Sequence, residues 1–160
     1  MPDHTDRRLL ETTVGRRVVY EGRYLTFSVD AIVDSDGQRH EREIVTHPGA
    51  VAVLALDGDD LLLVRQYRTA AGAVVLEIPA GTLEREQGGS ESPELAAPRE
   101  LAEETGLEAA RWRRLGSFWT APGFATEELH LYLAQALRPV DGYAGPPPGE
   151  RIDVLRMPWR

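Results

Sequence analysis

Apolar and polar residues alternate through Val18–Tyr20 and Tyr24–Val33, the two-residue period of half-buried strands, with β-branched residues enriched. Asp34-Ser35-Asp36-Gly37 reads as a turn, and Glu41–Thr46 as the strand returning from it. His47-Pro48-Gly49 breaks that strand. Ala50–Leu56 is a short, almost wholly apolar run, which at this length predicts a buried strand. Asp57-Gly58-Asp59-Asp60 turns it into a hairpin with Leu61–Tyr67, and Val74–Ile78 predicts a further strand ended by Pro79 and Gly81. Trp112–Trp119, Leu129–Ala136 and Ile152–Met157 complete the strands, while Glu84–Ser92 and Pro146-Pro147-Pro148-Gly149 read as loops. There is no internal repeat.

The pattern changes once, after Ser92. Serine, then proline, then an acid is a helix start, and Gly106-Leu107 is a helix end, with glycine in the left-handed position. Pro98 interrupts this segment, so the pattern predicts either a kink there or a helix whose regular part begins at Pro98. Many strands with one helix predict a mixed-sheet α+β sandwich. Residues 1–16 read as a loosely ordered lead-in, residues 17–47 as an N-terminal antiparallel β segment, and residues 48–160 as the main domain.

Within the helix, Glu100, Glu103 and Glu104 share one face at spacings of three and four, so their carboxylates crowd. A solvated acidic face is one explanation. Arg99 stands four residues before Glu103 and predicts an ion pair with it, leaving Glu100 and Glu104 unneutralised near the negative end of the helix dipole. A hard divalent cation is the other explanation, since such ions seek oxygen clusters and accompany phosphates.

Composition narrows the partners. The 160-residue chain carries 18 basic and 26 acidic side chains, a formal charge of −8, which argues against a nucleic-acid surface. An anionic substrate must then be drawn in by local arginines. The chain has no cysteine, which excludes disulfides and thiolate metal sites and fits a cytoplasmic setting. Met1–Gly15 has no secretory apolar region, and no apolar run is long enough to span a bilayer. The four histidines lack metal-ligand spacing.

The stretch Arg99-Glu100-Leu101-Ala102-Glu103-Glu104-Thr105-Gly106-Leu107, preceded by Glu77-Ile78-Pro79-Ala80-Gly81, resembles the Nudix hydrolase signature. Its second half matches R-E-L-x-E-E-x-G-L completely. In the first half, Gly81 and Glu91 enclose nine residues where the family has five, an insertion of four within Arg85–Ser90. Arg42–Val45, His47–Val53, Val64–Arg68, Leu76–Gly81 and Thr120–Glu128 are similar to the ADP-ribose pyrophosphatase branch.

The resemblance implies an α/β/α Nudix sandwich and a Mg²⁺-dependent pyrophosphatase, with Mn²⁺ an alternative ion, splitting ADP-ribose into AMP and ribose 5-phosphate. It implies metal ligation by Glu100, Glu104 and the carbonyl of Ala80, with Glu103 behind them, and a water-activating role for Glu127 on the Pro-Gly-Phe loop. Arg68 falls where the family places an arginine on the diphosphate. Arg42, Gly123 and Phe124 fall in matching substrate segments, and Glu77 in a supporting place. Residues 17–47 match a segment used for homodimerisation. The branch continues past the strand at Ile152–Met157 with a helix that this chain, ending at Arg160, is expected to lack. Two further readings stay open: hydrolysis of another nucleoside diphosphate sugar or an FAD-like substrate, and nucleotide or partner binding without cleavage. Trp112, Trp119 and Trp159 are expected to pack in the core or at sheet edges.

Overall fold

The computed structural model describes residues 4–86 and 89–159, leaving aside the side chains of residues 4–6 and 86. Contacts divide it into two units, one comprising residues 1–48 and 119–127, the other residues 49–118 and 128–160.

In the first unit a 3-10 helix, His4–Leu9, leads into three antiparallel strands: β1 (Thr12–Glu21), β2 (Thr26–Val33) and β3 (Arg39–Thr46). Strand β2 is central, and its inward residues include Ser28 and Asp30, both buried. Asp30 accepts a forked pair of hydrogen bonds from Arg16, at 2.8 Å from Nε and 2.6 Å from Nη2, and a third from Ser28 at 3.0 Å. That guanidinium holds the Asp30 carboxyl below the usual carboxylate range. The sequence reading starts the strands at Val18 and leaves residues 1–16 as a loose lead-in; the structure instead has residues 12–16 in strand β1. The reason is tertiary: Thr12, Thr13 and Arg16 pair with Val33, Ile32 and Asp30 across the ladder, which a weak local pattern does not reveal.

The second unit is a mixed seven-stranded sheet with one α-helix. Its strands are β4 (Ala50–Asp57), β5 (Asp60–Arg68), β6 (Ala73–Glu77), β7 (Ala80–Thr82), β10 (Leu107–Trp119), β11 (Glu128–Pro139) and β12 (Ile152–Pro158), in the order β10-β11-β4-β5-β12, with β6 on β5 and β7 on β4. Strand β11 runs parallel to β4, whereas β12, β6 and β7 pair antiparallel with their neighbours. The alternating side chains Val51, Val53 and Ala55 of β4 meet Ala97 and Leu101 of helix α1 (Pro93–Thr105), all fully buried. Trp112 joins this core edge-on to Tyr132, ring centroids 6.5 Å apart.

Helix α1 runs through Pro98 as one element, so it does not begin there. Proline removes one backbone bond at that place, but Ala96, Ala97 and Leu101 bury the flanking turns fully, which holds the helix together. Ser92 precedes it with extended backbone and without a side-chain cap bond, and Gly106 ends it at φ 68°. The expected loop Glu84–Ser92 contains two short strands, β8 (Arg85–Glu86) and β9 (Gly89–Ser90), paired antiparallel. The described residues of the inserted stretch therefore pair with one another as two short strands. Their base closes where Glu91 N–H donates to the Glu84 carbonyl at 2.8 Å.

Candidate functional site

Strand β4 and helix α1 flank β7, and the backbone of β7 is where the acidic face of α1 comes down. Glu100 lies directly on Gly81: a Cβ built there would stand 1.9 Å from the Glu100 carboxyl carbon, so glycine is required for this close approach. The next residue back, Ala80, donates its N–H to Glu104 Oε2 at 3.0 Å. Both glutamates are buried, whereas the Glu103 side chain is 41% exposed.

Arg99 organises the rest. Its Nε and Nη2 grip both oxygens of Glu91 at 3.0 and 2.6 Å, a forked ion pair. Its Nη1 donates to Glu100 at 2.7 Å and reaches Glu103 at 3.3 Å. The expected Arg99–Glu103 pair forms, but the expectation that it leaves Glu100 unneutralised is corrected. Glu91 is the main partner, and Glu100 is nearer than Glu103, because the guanidinium turns inward along the helix start where Glu91 is buried. Glu91 also accepts from the Glu84 N–H at 3.2 Å, so the hairpin insertion leaves its anchoring role intact.

The electrostatics separate Glu104 from its neighbours. Burial pushes its carboxyl up to about 8, against the opposing Ala80 N–H, and the charges of Glu100 and Glu150 add to the rise. Burial also raises Glu100, opposed by Arg99, with Glu103 and Glu150 again adding. Glu91 moves the other way, held low chiefly by the Arg99 hydrogen bond. Two adjoining buried acids driven towards neutrality are a place where a cation restores the ionised form.

Arg68 belongs to this group, since its charge bears on Glu104, though its Nε is paired with Glu77 at 2.8 Å. The strand register does not make this pair, since Ala73 stands opposite Arg68 and Val64 opposite Glu77; the long Arg68 side chain reaches along the ladder to Glu77. Among the described residues, no three His, Asp or Glu side chains form a preformed metal cage. Glu150, in the loop before β12, escaped the sequence reading, and so did Tyr143, whose hydroxyl donates to the Glu103 carbonyl at 3.0 Å. Neither stands at a recognisable spacing; the return of the chain towards β12 brings Tyr143 to the helix end.

The remaining candidates lie in the first unit. The loop Thr120–Glu127 is closed by the Thr120 N–H on the Glu127 carbonyl at 3.2 Å and turned by the Ala125 N–H on Ala121 at 2.8 Å. It is fastened to β3 by Val45 N–H to Phe124 O at 2.7 Å and Thr126 N–H to Val45 O at 3.0 Å. Within it, Glu127 accepts the Thr120 hydroxyl at 2.6 Å and stands 3.5 Å from His47 Nε2. Gly123 and Phe124 form the turn, with Phe124 exposed. Phe124, Trp119, Pro122 and Ile44 line a hollow of about 260 Å³. Trp119 is 54% exposed and ends β10, an edge strand of its sheet. Arg42 pairs instead with Glu11 and does not join the Glu127 group.

A model of the NUDIX domain matches residues 46–159. The chain is 40% identical over 148 residues to a methanol dehydrogenase activator of Bacillus methanolicus, covering 92% of this chain and 78% of that protein. It is 36% identical over 152 residues to an ADP-ribose pyrophosphatase of Bacillus subtilis, covering 94% and 80%. To an ADP-ribose pyrophosphatase of Mycobacterium tuberculosis it is 39% identical over 129 residues, covering 80% and 61%. Among solved structures, the crystal structure of an ADP compounds hydrolase is similar with a TM-score of 0.78 and 26% identity, covering 92% of this chain and 78% of that one.

Proposed function

The chain belongs to the Nudix family, and from that premise we propose that it is a Mg²⁺-dependent pyrophosphatase hydrolysing ADP-ribose to AMP and ribose 5-phosphate. The observation that carries this reading is the buried pair Glu100 and Glu104, seated on the backbone of Ala80 and Gly81. The donor set fits a hard divalent ion: two carboxylates suffice because Mg²⁺ retains several waters. Glu100, Glu104 and the Ala80 carbonyl would hold it, with Glu103 on the solvent side and Glu150 adding negative charge. When bound, the ion supplies charge neutralisation for the diphosphate and lowers the pKa of coordinated water.

The protein's own residues do the rest. Arg68 offers its other guanidinium nitrogens to a phosphate while Glu77 fixes the orientation through Nε. Glu127, held by Thr120, acts as the base that takes the proton of the attacking water. Phe124 and Gly123 border the hollow in which an apolar ring of the substrate rests, and Arg42 serves the same substrate after exchanging Glu11 for a phosphate. The oxygen of water becomes bonded to phosphorus, and the bridging oxygen leaves with the other phosphate.

ADP-ribose incubated with the protein and Mg²⁺ is expected to give AMP and ribose 5-phosphate. Intact ADP-ribose would overturn the reading. GDP-mannose or FAD turning over faster would move it to another nucleoside diphosphate, and tight binding with full recovery of the ligand would favour a non-catalytic module.

We also propose a homodimer. Strand β1 is exposed along its whole length, presenting Val14, Val18, Val19 and Tyr20 at the edge of its sheet, a surface that a second copy would cover. Sedimentation at micromolar concentration showing only monomer would remove it. The cysteine-free composition favours a cytoplasmic setting.

A further inference from the structure

The carboxylate of Glu127 has a different neighbour at each of its oxygens. Oε2 accepts the Thr120 hydroxyl at 2.6 Å, and Oε1 stands 3.5 Å from His47 Nε2. Thr120 belongs to the loop that carries Glu127, whereas His47 comes from far back in the sequence, directly after strand β3.

The His47 backbone is fixed from two directions. Pro48 follows it and disfavours helical backbone at His47. The Thr126 hydroxyl accepts the His47 N–H at 2.9 Å and donates to the His47 carbonyl at 3.2 Å, so one side chain engages both backbone polar groups of that residue. The Thr126 N–H donates in turn to the Val45 carbonyl at 3.0 Å. Thr126 immediately precedes Glu127, so these bonds set the end of β3 against the backbone of the acid itself. The His47 side chain is only 14% exposed, which leaves its ring little room to swing away from the carboxylate.

The two neighbours act differently on the carboxylate. At 2.6 Å the Thr120 hydroxyl makes a full hydrogen bond and engages Oε2. At 3.5 Å the imidazole exceeds the usual hydrogen-bond length, so Oε1 is the less engaged oxygen. With its proton on Nε2, the ring still presents an N–H dipole that attracts Oε1 and orients it. Contacts of this kind tighten when substrate binds.

We infer that His47 is a positioning residue for the hydrolysis: from the end of β3 its imidazole aims the Glu127 carboxylate so that Oε1 receives the proton of the attacking water. The inference rests on the proposed role of Glu127 as base. The proton passes from water to Oε1 while the water oxygen bonds to phosphorus, and His47 neither gains nor loses a proton in that step. A merely structural His47 would support the loop without acting through the carboxylate.

The test compares the full chain with H47A, H47Q, E127Q and H47A/E127Q by kcat and KM for ADP-ribose with Mg²⁺, and by the side-chain ¹⁵N resonances of the histidines. H47A is expected to lower kcat by roughly 5- to 20-fold with KM nearly unchanged, since orienting a base acts in the transition state. H47Q, whose amide nitrogen can take the place of Nε2, is expected to recover kcat to within about 2- to 3-fold of the native chain. In the E127Q background no base is left to aim, so removing His47 is expected to cost less than about 2-fold more. E127Q alone should move the ring nitrogens of His47 and leave those of His40 and His130 in place.

A native-like kcat in H47A, an equal loss in the E127Q background, or H47Q no better than H47A would each overturn the inference while the hydrolase reading stands. So would a raised KM at unchanged kcat, or His47 resonances indifferent to E127Q. If H47A fails to fold, H47L, which keeps much of the bulk of the ring, takes its place in the same comparison. A native chain that leaves ADP-ribose intact overturns the hydrolase reading, and the inference falls with it.

Discussion

The acidic face of α1 and the loop Thr120–Glu127 present carboxylates proposed for one reaction, yet each unit surrounds its own in a contrary way. Glu104 is buried, receives one backbone N–H from Ala80, and has its carboxyl pushed up to about 8. Glu127 has a 30% exposed side chain on a loop, with the Thr120 hydroxyl at 2.6 Å and His47 at 3.5 Å. A rigid helix carrying desolvated acids suits a tightly held ion, because ion binding repays the desolvation of the ionised form. A loop acid held by one hydroxyl keeps contact with water and can exchange a proton. The same residue type thus suits the ion-holding role proposed in one unit and the proton transfer proposed in the other.

The largest expected effect removes the holding side. Glu104→Gln keeps the shape and the Ala80 contact but cannot supply a carboxylate, and should lower kcat/KM on the order of 10²–10³-fold. Glu103→Gln, on the solvent side of the same turn, should lose much less. Equal losses at the two positions, measured by steady-state AMP release, would erase the distinction between buried and exposed acids on this helix.

Stability sharpens the same contrast. The Glu104 carboxyl has an ordinary value near 4.5 and is raised to about 8 in the folded chain, so the folded state holds the extra proton between those values. Its favourable contribution is complete below the unfolded value and is lost as pH rises towards 8. The metal-free protein should therefore melt about 5–10 °C lower at pH 8 than at pH 5.5, a loss reversed by millimolar Mg²⁺. Glu91, Asp30 and Asp34 are held low and lose their contributions only in acid, below this window. Glu104→Gln should flatten the slope. An undiminished slope after that change, seen by calorimetry, would place the titrating group elsewhere, since Glu100, raised in the same direction, accounts only for a remainder.

The helix face was legible because periodicity puts Glu100, Glu103 and Glu104 together whatever the tertiary structure. Gly106 likewise announces its own left-handed backbone. What pairwise spacing could not show is which partner wins. Arg99 turns to Glu91, eight residues back beyond the helix start, because the buried oxygens of Glu91 accept two bonds at once. The strand pair in the insertion was hidden for the same reason, since strands two residues long have no period to read. Tyr143 was invisible because nothing local brings a proline-rich loop to the end of a helix. The strand ladder of β12 does that, and ladders are properties of distant segments.

Smaller effects are expected on the loop side. Glu127→Gln should slow kcat by roughly 10- to 100-fold while leaving substrate affinity nearly unchanged, since a base acts in the transition state more than in binding. Thr120→Val is the finest probe. It preserves the shape of the side chain and the backbone bond from Thr120 N–H to Glu127 O, and removes only the hydroxyl that fixes the carboxylate. With Glu127 partly solvated, water replaces that hydroxyl at modest cost, so kcat should fall about 2- to 5-fold. An unchanged kcat in Thr120→Val would mean that Thr120 merely shapes the loop and does not fix the Glu127 carboxylate for proton transfer.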